Sequence, residues 1–281
     1  MDLICDERPS DSIFVERIWR SHSEHAGHFL SMADSHWGMV VTKHRGRTIL
    51  TVRGPETRAT PAYCPAPAEF FGIQFKAGAF IPSLPASMVM DRRDLNLPES
   101  SSKSFWLNGS AWQFPNYENA DVFVDRLVRD GLLAYDPMVQ AALQGQPLEM
   151  SLRTVQRRLL KATGLTHTAV RQIERARNAT RLLKQGVSIP DTIYKAGYFD
   201  QPHLIRSLKH FIGLTPAQIM DKSRPERLSF LYKTDSFDRV TMHMFISQQE
   251  ENKHEESNRN RLSGAGRRHR STGEVVLSMP E

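Results

Sequence analysis

Two short stretches of this sequence carry side chains able to make paired hydrogen bonds at helical spacing. The first holds Arg153, Thr154, Gln156, Arg157, Arg158 and Lys161, and the second holds Gln201, His203, Arg206, Lys209 and His210. A guanidinium is a planar fork of N–H donors that matches the O6 and N7 acceptors of guanine together. A carboxamide does the same for N6 and N7 of adenine. Basic side chains and helix N-terminal amides can hold phosphates, which sets position without reading sequence. Such chemistry needs a rigid element that fits a major groove, and an α-helix fits it with its N-terminal residues nearest the base edges. Arg153, Thr154, Gln156 and Arg157 stand early in the first stretch, ahead of Arg158 and Lys161 as backbone anchors. Gln201, His203 and Arg206 stand early in the second, with Lys209 and His210 nearer the phosphates.

The elements that must position these residues are marked by caps. Around the second stretch, Ser188 is an N-cap with Asp191 three residues on, and Pro190 falls in the first turn, where a missing N–H costs little. Ile189, Ile193 and Ala196 recur at helical spacing, and Gly197 closes that helix. Asp200 then caps a further helix with Pro202 in its first turn. Leu204, Leu208, Phe211 and Ile212 form its apolar stripe, and His203, Arg206, Ser207 and His210 occupy another face. Two short helices joined by a tight turn predict a helix-turn-helix.

The pattern repeats. Segment 159–170, LLKATGLTHTAV, lines up with 208–219, LKHFIGLTPAQI, at an offset of 49 residues. Extended backwards, the register pairs Leu159 with Leu208, Arg157 with Arg206, Val155 with Leu204 and Ser151 with Asp200. Both copies end in Gly-Leu-Thr, a helix stop followed by an N-cap. Helices are therefore expected over 151–163 and 200–212, joined by one long helix over 166–185 with Ile173, Ala176, Thr180 and Leu183 as its stripe. Upstream the copies differ: Gln144, Gly145, Pro147 and Leu148 replace the regular turn, so the helix before the first copy is expected at 136–143 with an irregular connection.

The remaining chain reads differently. Met39–His44 and Arg47–Val52 are β-branched runs separated by Arg45-Gly46, which predicts a hairpin. Glu69–Lys76 reads as another strand. Prolines at 55, 61, 65, 67, 82 and 85 argue against long helices here. The fold class expected is α+β in two domains: a β-rich small barrel or cupin-like domain at 1–118, and an all-α domain at 138–221 with two helix-turn-helix units joined by a long helix. Residues 100–118 read as a loop. An amphipathic helix around 122–128 lies within a linker at 119–137 and packs on its own domain or offers a dimer contact. Residues 222–281 are a C-terminal extension, expected to be disordered from about 248 because its composition buries too little apolar surface.

Residues 138–221 resemble the two-part helix-turn-helix domain of the arabinose-regulator (AraC/XylS) family. The match rests on Ser151-Leu-Arg-Thr-Val-Gln-Arg-Arg-Leu, on Ile173-Glu-Arg-Ala-Arg with Leu182-Leu183, and on Ala196-Gly-Tyr-Phe-Asp-Gln-Pro-His-Leu through Gly213-Leu-Thr-Pro. The resemblance implies sequence-specific transcription regulation, often activation, with an N-terminal sensor or dimerisation domain. Residues 65–135 are also similar to the N-terminal region of some such regulators, chiefly through FGIQFKAGAF and DRRDLNL.

Composition fits that reading. Hydrophobic residues make 40% of the 281-residue chain, charged residues 24%, and the net charge is +6, which permits a polyanionic partner without requiring one. No apolar run is long enough to span a membrane, and the first residues lack a signal-peptide layout, so the cytoplasm is the expected location. Two cysteines, Cys5 and Cys64, build neither a disulfide framework nor a four-cysteine zinc site. His22, His25 and His28 lack the partners that would complete a metal set, and read as ordinary surface histidines. Trp19, Trp37, Trp106 and Trp112 read as core rather than as a ligand cavity. No enzyme and no cofactor are expected. The partner expected is double-stranded DNA, with RNA polymerase, an unidentified small effector and a second copy of the chain as further candidates. The alternatives are a DNA-repair alkyltransferase, which needs an activated cysteine, and a ligand-binding module whose helices hold a protein.

Overall fold

Residues 3–91 and 93–221 are described by the computed structural model; the expectations for 222–281 lie outside them. The strands are β1 (Leu3–Arg8), β2 (Val15–Ser23), β3 (Gly27–Ser31), β4 (Gly38–His44), β5 (Arg47–Arg53), β6 (Thr60–Cys64) and β7 (Ala68–Phe75). They continue with β8 (Ala79–Phe80), β9 (Leu95–Asn96), β10 (Glu99–Ser101), β11 (Ser104–Leu107), β12 (Ser110–Gln113) and β13 (Ala134–Tyr135). The helices are α1 (Ala120–Arg129), α2 (Pro137–Leu143), α3 (Leu152–Thr163), α4 (His167–Lys184), α5 (Ile189–Lys195), α6 (Gln201–Phe211) and α7 (Pro216–Met220).

Alternation organises the N-terminal half. A six-stranded sheet runs β1-β2-β7-β4-β5-β9, with every neighbour antiparallel, and β3 pairs β6 in a separate ladder. The β4–β5 hairpin turns on Arg45 and Gly46, both at positive φ (50° and 75°), the two-residue geometry that matches strand twist. Ile18, Met39, Val41, Leu50, Val52, Phe71 and Ile73 share one face of the sheet through the register. They form one core with Phe105, Trp112 and the Phe123, Val124 and Leu127 side chains of α1. So α1, expected within a linker, lies against the sheet.

Residues 100–118, expected to be a loop, are largely ordered as strands: 99–113 contains the antiparallel meander β10-β11-β12. Phe105 faces Trp112 across it, and both meet Phe123 edge-on. Its strands are too short to display alternation. The signal that was there is Asn108-Gly109, at φ 50° and 75°, a favoured hairpin turn.

Capping organises the helical half. Asp136, Ser151, Thr166, Ser188, Asp200 and Thr215 each accept a hydrogen bond from a backbone N–H in the first turn of the following helix. Each cap is worth about 1 kcal/mol. At Ser188, the hydroxyl also donates to Asp191 at 2.6 Å. Helix α4 is the spine: Ile173, Ala176, Ala179, Thr180 and Leu183 are buried against Leu204, Leu208 and Ile212. Helix α3 packs instead on α2, through Val139, Leu159 and Ala162. Met32 and Ala33, from the segment after β3, complete the α4–α6 core, so the β-rich half supplies part of the helical core. No helix among the described residues is long and apolar enough to cross a membrane.

Gly164 ends α3 at φ 70°, and a Cβ there would lie 2.7 Å from the Ala86 Cβ. Backbone strain and a clash with the β-rich half therefore coincide. Gly164→Ala should lower unfolding stability by about 1–3 kcal/mol, read as a shifted urea midpoint.

Candidate nucleic-acid interface

Helix α3 begins at the Ser151 cap, and Arg153, Gln156 and Arg157 are exposed on it. Thr154 is half-buried and its hydroxyl sits 3.0 Å from Ser151 Oγ, inside the cap. Arg158 is exposed but donates to both carboxylate oxygens of Asp136, at 3.0 and 3.1 Å, joining α3 to the cap of α2. The Lys161 ammonium lies 5.3 Å from the Phe80 ring centre on β8. Of the first group, then, the two expected anchors have partners within the chain.

Helix α6 presents Gln201, Arg206, Lys209 and His210 to solvent. His203 is half-buried, with its ring edge-on to Tyr198 at 5.1 Å. Burial, then Arg175 and Arg206, push its pKa down, so near neutrality it is a neutral donor and acceptor rather than a charge. The His210 ring packs on Phe211 at 4.6 Å.

The opposite ends of both helices are tied to the β-rich half. The Trp37 indole N–H donates to the Ala162 carbonyl at 2.8 Å. Ala59 N–H donates to the His210 carbonyl at 2.9 Å, and Ala33 N–H to the Phe211 carbonyl at 2.8 Å. Carbonyls that a helix end leaves without intrahelical partners thus find donors in the other half. The C-terminal ends of α3 and α6 are docked, and their N-terminal ends are free of such ties.

Between them α4 makes an ionic joint. Arg177, only 3% exposed, donates to Asp34 and to the Ala33 carbonyl, both at 3.2 Å. Asp34 also meets His36 Nδ1 at 2.7 Å and accepts from Gln74 at 2.9 Å. Ser35 donates to Glu174 of α4 at 3.1 Å. Nearby, Glu56 accepts from Ser31 at 2.9 Å and from Arg53 at 2.7 Å. A cavity of about 60 Å³ lies here, lined by Trp19, Asp34, His36, Arg53, Glu56, Gln74 and Arg177 among others. Sequence reasoning missed this site. Its charges come from two segments, 34–56 and 174–177, more than a hundred residues apart, with no spacing to connect the one with the other.

The remaining candidates are dispersed. Trp19, Trp37 and Trp112 are buried, but Trp19 and Trp37 also line this cavity, and Trp106, expected in the core, is 46% exposed. His28 stacks obliquely on Tyr63 and His22 lies 4.0 Å from Glu24. Among the described residues, no three His, Cys, Asp or Glu side chains form a group that could hold a metal. Cys64 is buried, and burial pushes its thiol pKa up, which disfavours the reactive thiolate.

Residues 146–222 match the family model of a helix-turn-helix domain, which spans α3 to α7. No curated protein and no solved structure matches the chain.

The joint should make stability depend on pH. Burial opposes the Asp34 charge, but Arg177, His36 and Arg17 outweigh it and hold the carboxyl far below its ordinary 3.8. Burial likewise opposes a charged His36, yet Asp34, Glu174 and Glu16 raise its pKa above 6.5. The Asp34 contribution is present above 3.8 and lost as pH falls. The His36 contribution is complete below 6.5 and lost as pH rises through the raised value. Urea midpoints followed against pH should decline on both sides of that window, and His36→Gln should flatten the alkaline decline. Asp34→Ala should cost about 3 kcal/mol, by leaving buried Arg177 with the more distant Glu174 carboxylate, 4.0 Å from its Nε, in place of the closer one.

Proposed function

We propose that this chain is a DNA-binding transcription regulator of the AraC type, a reading supported by the helix-turn-helix domain that residues 146–222 match, and that it reads its site with two helices. Helices α2–α3 and α5–α6 act as two helix-turn-helix units, and α3 and α6 enter successive major grooves on one face of the duplex, about 34 Å apart. The observation that carries this reading is the repeat in three dimensions. Two capped helices, 49 residues apart in register, bury Leu159 and Leu208 at matching positions and leave Arg157 and Arg206 exposed at matching positions.

In this proposal Arg153, Gln156 and Arg157 on α3 meet base edges, as do Gln201, His203 and Arg206 on α6. Thr154 supports them through the cap. Lys209 and the exposed His210 ring hold phosphates. Arg158 and Lys161 join them by letting go of Asp136 and Phe80. An exposed ion pair is worth at most about 1 kcal/mol, so Arg158 changes partners at small cost.

The β-rich half, with α1 packed on it, is the proposed sensor, and 138–221 the proposed reader. A small polar ligand entering the cavity beside Arg177 would touch both, and it would shift the reader only by binding two arrangements unequally. The alkyltransferase alternative needs an activated cysteine, and the buried Cys64 thiol is the reverse of one. The protein-binding alternative is decided by a gel shift on genomic fragments.

Arg157→Ala and Arg206→Ala should each weaken binding to a selected duplex by about 1–3 kcal/mol and relax preference at one base position. Equal losses on random DNA would make the residue a phosphate anchor. Affinity should fall steeply as salt rises. Salt-insensitive binding, or none, would end this reading.

A further inference from the structure

Two large apolar side chains stand in water at the free ends of α3 and α6. Phe199 is 91% exposed and Leu152 is 81% exposed. Each has a structural cause. Tyr198 turns into the core, its hydroxyl 2.9 Å from Ser207 Oγ and its ring facing the Arg175 guanidinium at 4.8 Å. Its neighbour Phe199 is left outside, one residue before the Asp200 cap of α6. Leu152 opens α3 one turn ahead of Val155, on the stripe that continues into buried Leu159 and Ala162. The apolar stripe therefore overruns its core by a turn.

Neither side chain supports a packed interior, yet each would gain from leaving water. The residues beside them are the exposed donors Arg153 and Gln156, and Gln201 and Arg206. In a major groove lined with donors and acceptors, the apolar group on offer is the C5-methyl of thymine, which apolar side chains such as phenylalanine contact. We propose that Phe199 and Leu152 are specificity-determining contacts that read thymine by its methyl group, one at each recognition helix. The proposal rests on α3 and α6 lying in the grooves. It adds an apolar component to a readout otherwise made of hydrogen bonds.

The test uses the full chain and a duplex that it selects from genomic fragments. Dissociation constants would be measured for the wild type, Phe199→Ala, Phe199→Leu and Leu152→Ala. Each duplex thymine would be replaced in turn by deoxyuridine, which removes only the methyl. The wild type should lose about fourfold in affinity at one thymine facing each recognition helix. Phe199→Ala should lose roughly tenfold on the thymine duplex and become indifferent to deoxyuridine at its position, with binding to random DNA and the unfolding midpoint unchanged. Phe199→Leu should recover part of the loss, and Leu152→Ala should behave alike at a different thymine.

Variants that bind as the wild type does, or that keep the full deoxyuridine effect, would overturn the proposal and leave the groove reading standing. Normal DNA binding with loss of a co-purified protein partner would overturn it too, and would assign the two side chains to protein docking. If the wild type selects no duplex at all, the groove reading itself fails, and this proposal with it.

Discussion

The buried contact between Arg177 of α4 and Asp34 of the β-rich half sets the frame on which the rest depends. A guanidinium 3% exposed needs carboxylates and hydrogen-bond acceptors around it, and Asp34 and the Ala33 carbonyl at 3.2 Å supply them, with Glu174 at 4.0 Å. Asp34 in turn is held by His36 and Gln74, so the pair is one node of a network rather than an isolated bridge. Such a joint is weak evidence for net stability, since apolar packing could do as well. Its consequence is geometric: it fixes the spine of the helical half against the strands, and α6 packs on that spine.

Around that joint, backbone chemistry determines which way the two candidate recognition helices point. Their C-terminal carbonyls are answered from the β-rich half by Trp37, Ala33 and Ala59. Their N-termini are capped by their own Ser151 and Asp200. One end of each helix therefore needs the rest of the molecule and the other end does not. The free ends carry the arginines, the glutamines and the two solvated apolar side chains. Docking one end while exposing the other is the arrangement that the proposed paired reading requires, and the same ties give the β-rich half a route to the helices.

Much of the helical half was legible because its signals are local. A serine or aspartate cap, a glycine stop and an apolar stripe lie within a few residues of one another, and the repeated Gly-Leu-Thr made each copy a check on the other. The hairpin at Arg45-Gly46 was legible for the same reason. The meander at 99–113 was not, because its strands are too short for alternation to show. The joint at Asp34, His36, Glu174 and Arg177 could not have been found from spacing, since only the tertiary fold brings those charges together. Arg158 and Lys161 show the remaining gap: charge and helix position marked them as anchors, but contacts with Asp136 and Phe80 depend on the packing of α3 against α2 and β8.

The central claim is that one chain places two helices in successive major grooves. Chemical footprinting of the full chain on a selected duplex tests it directly, with major-groove guanine N7 protection as the readout. The account predicts two protected patches on one face of the duplex, centred about one helical turn apart. A single patch, or protection confined to the minor groove, would contradict it.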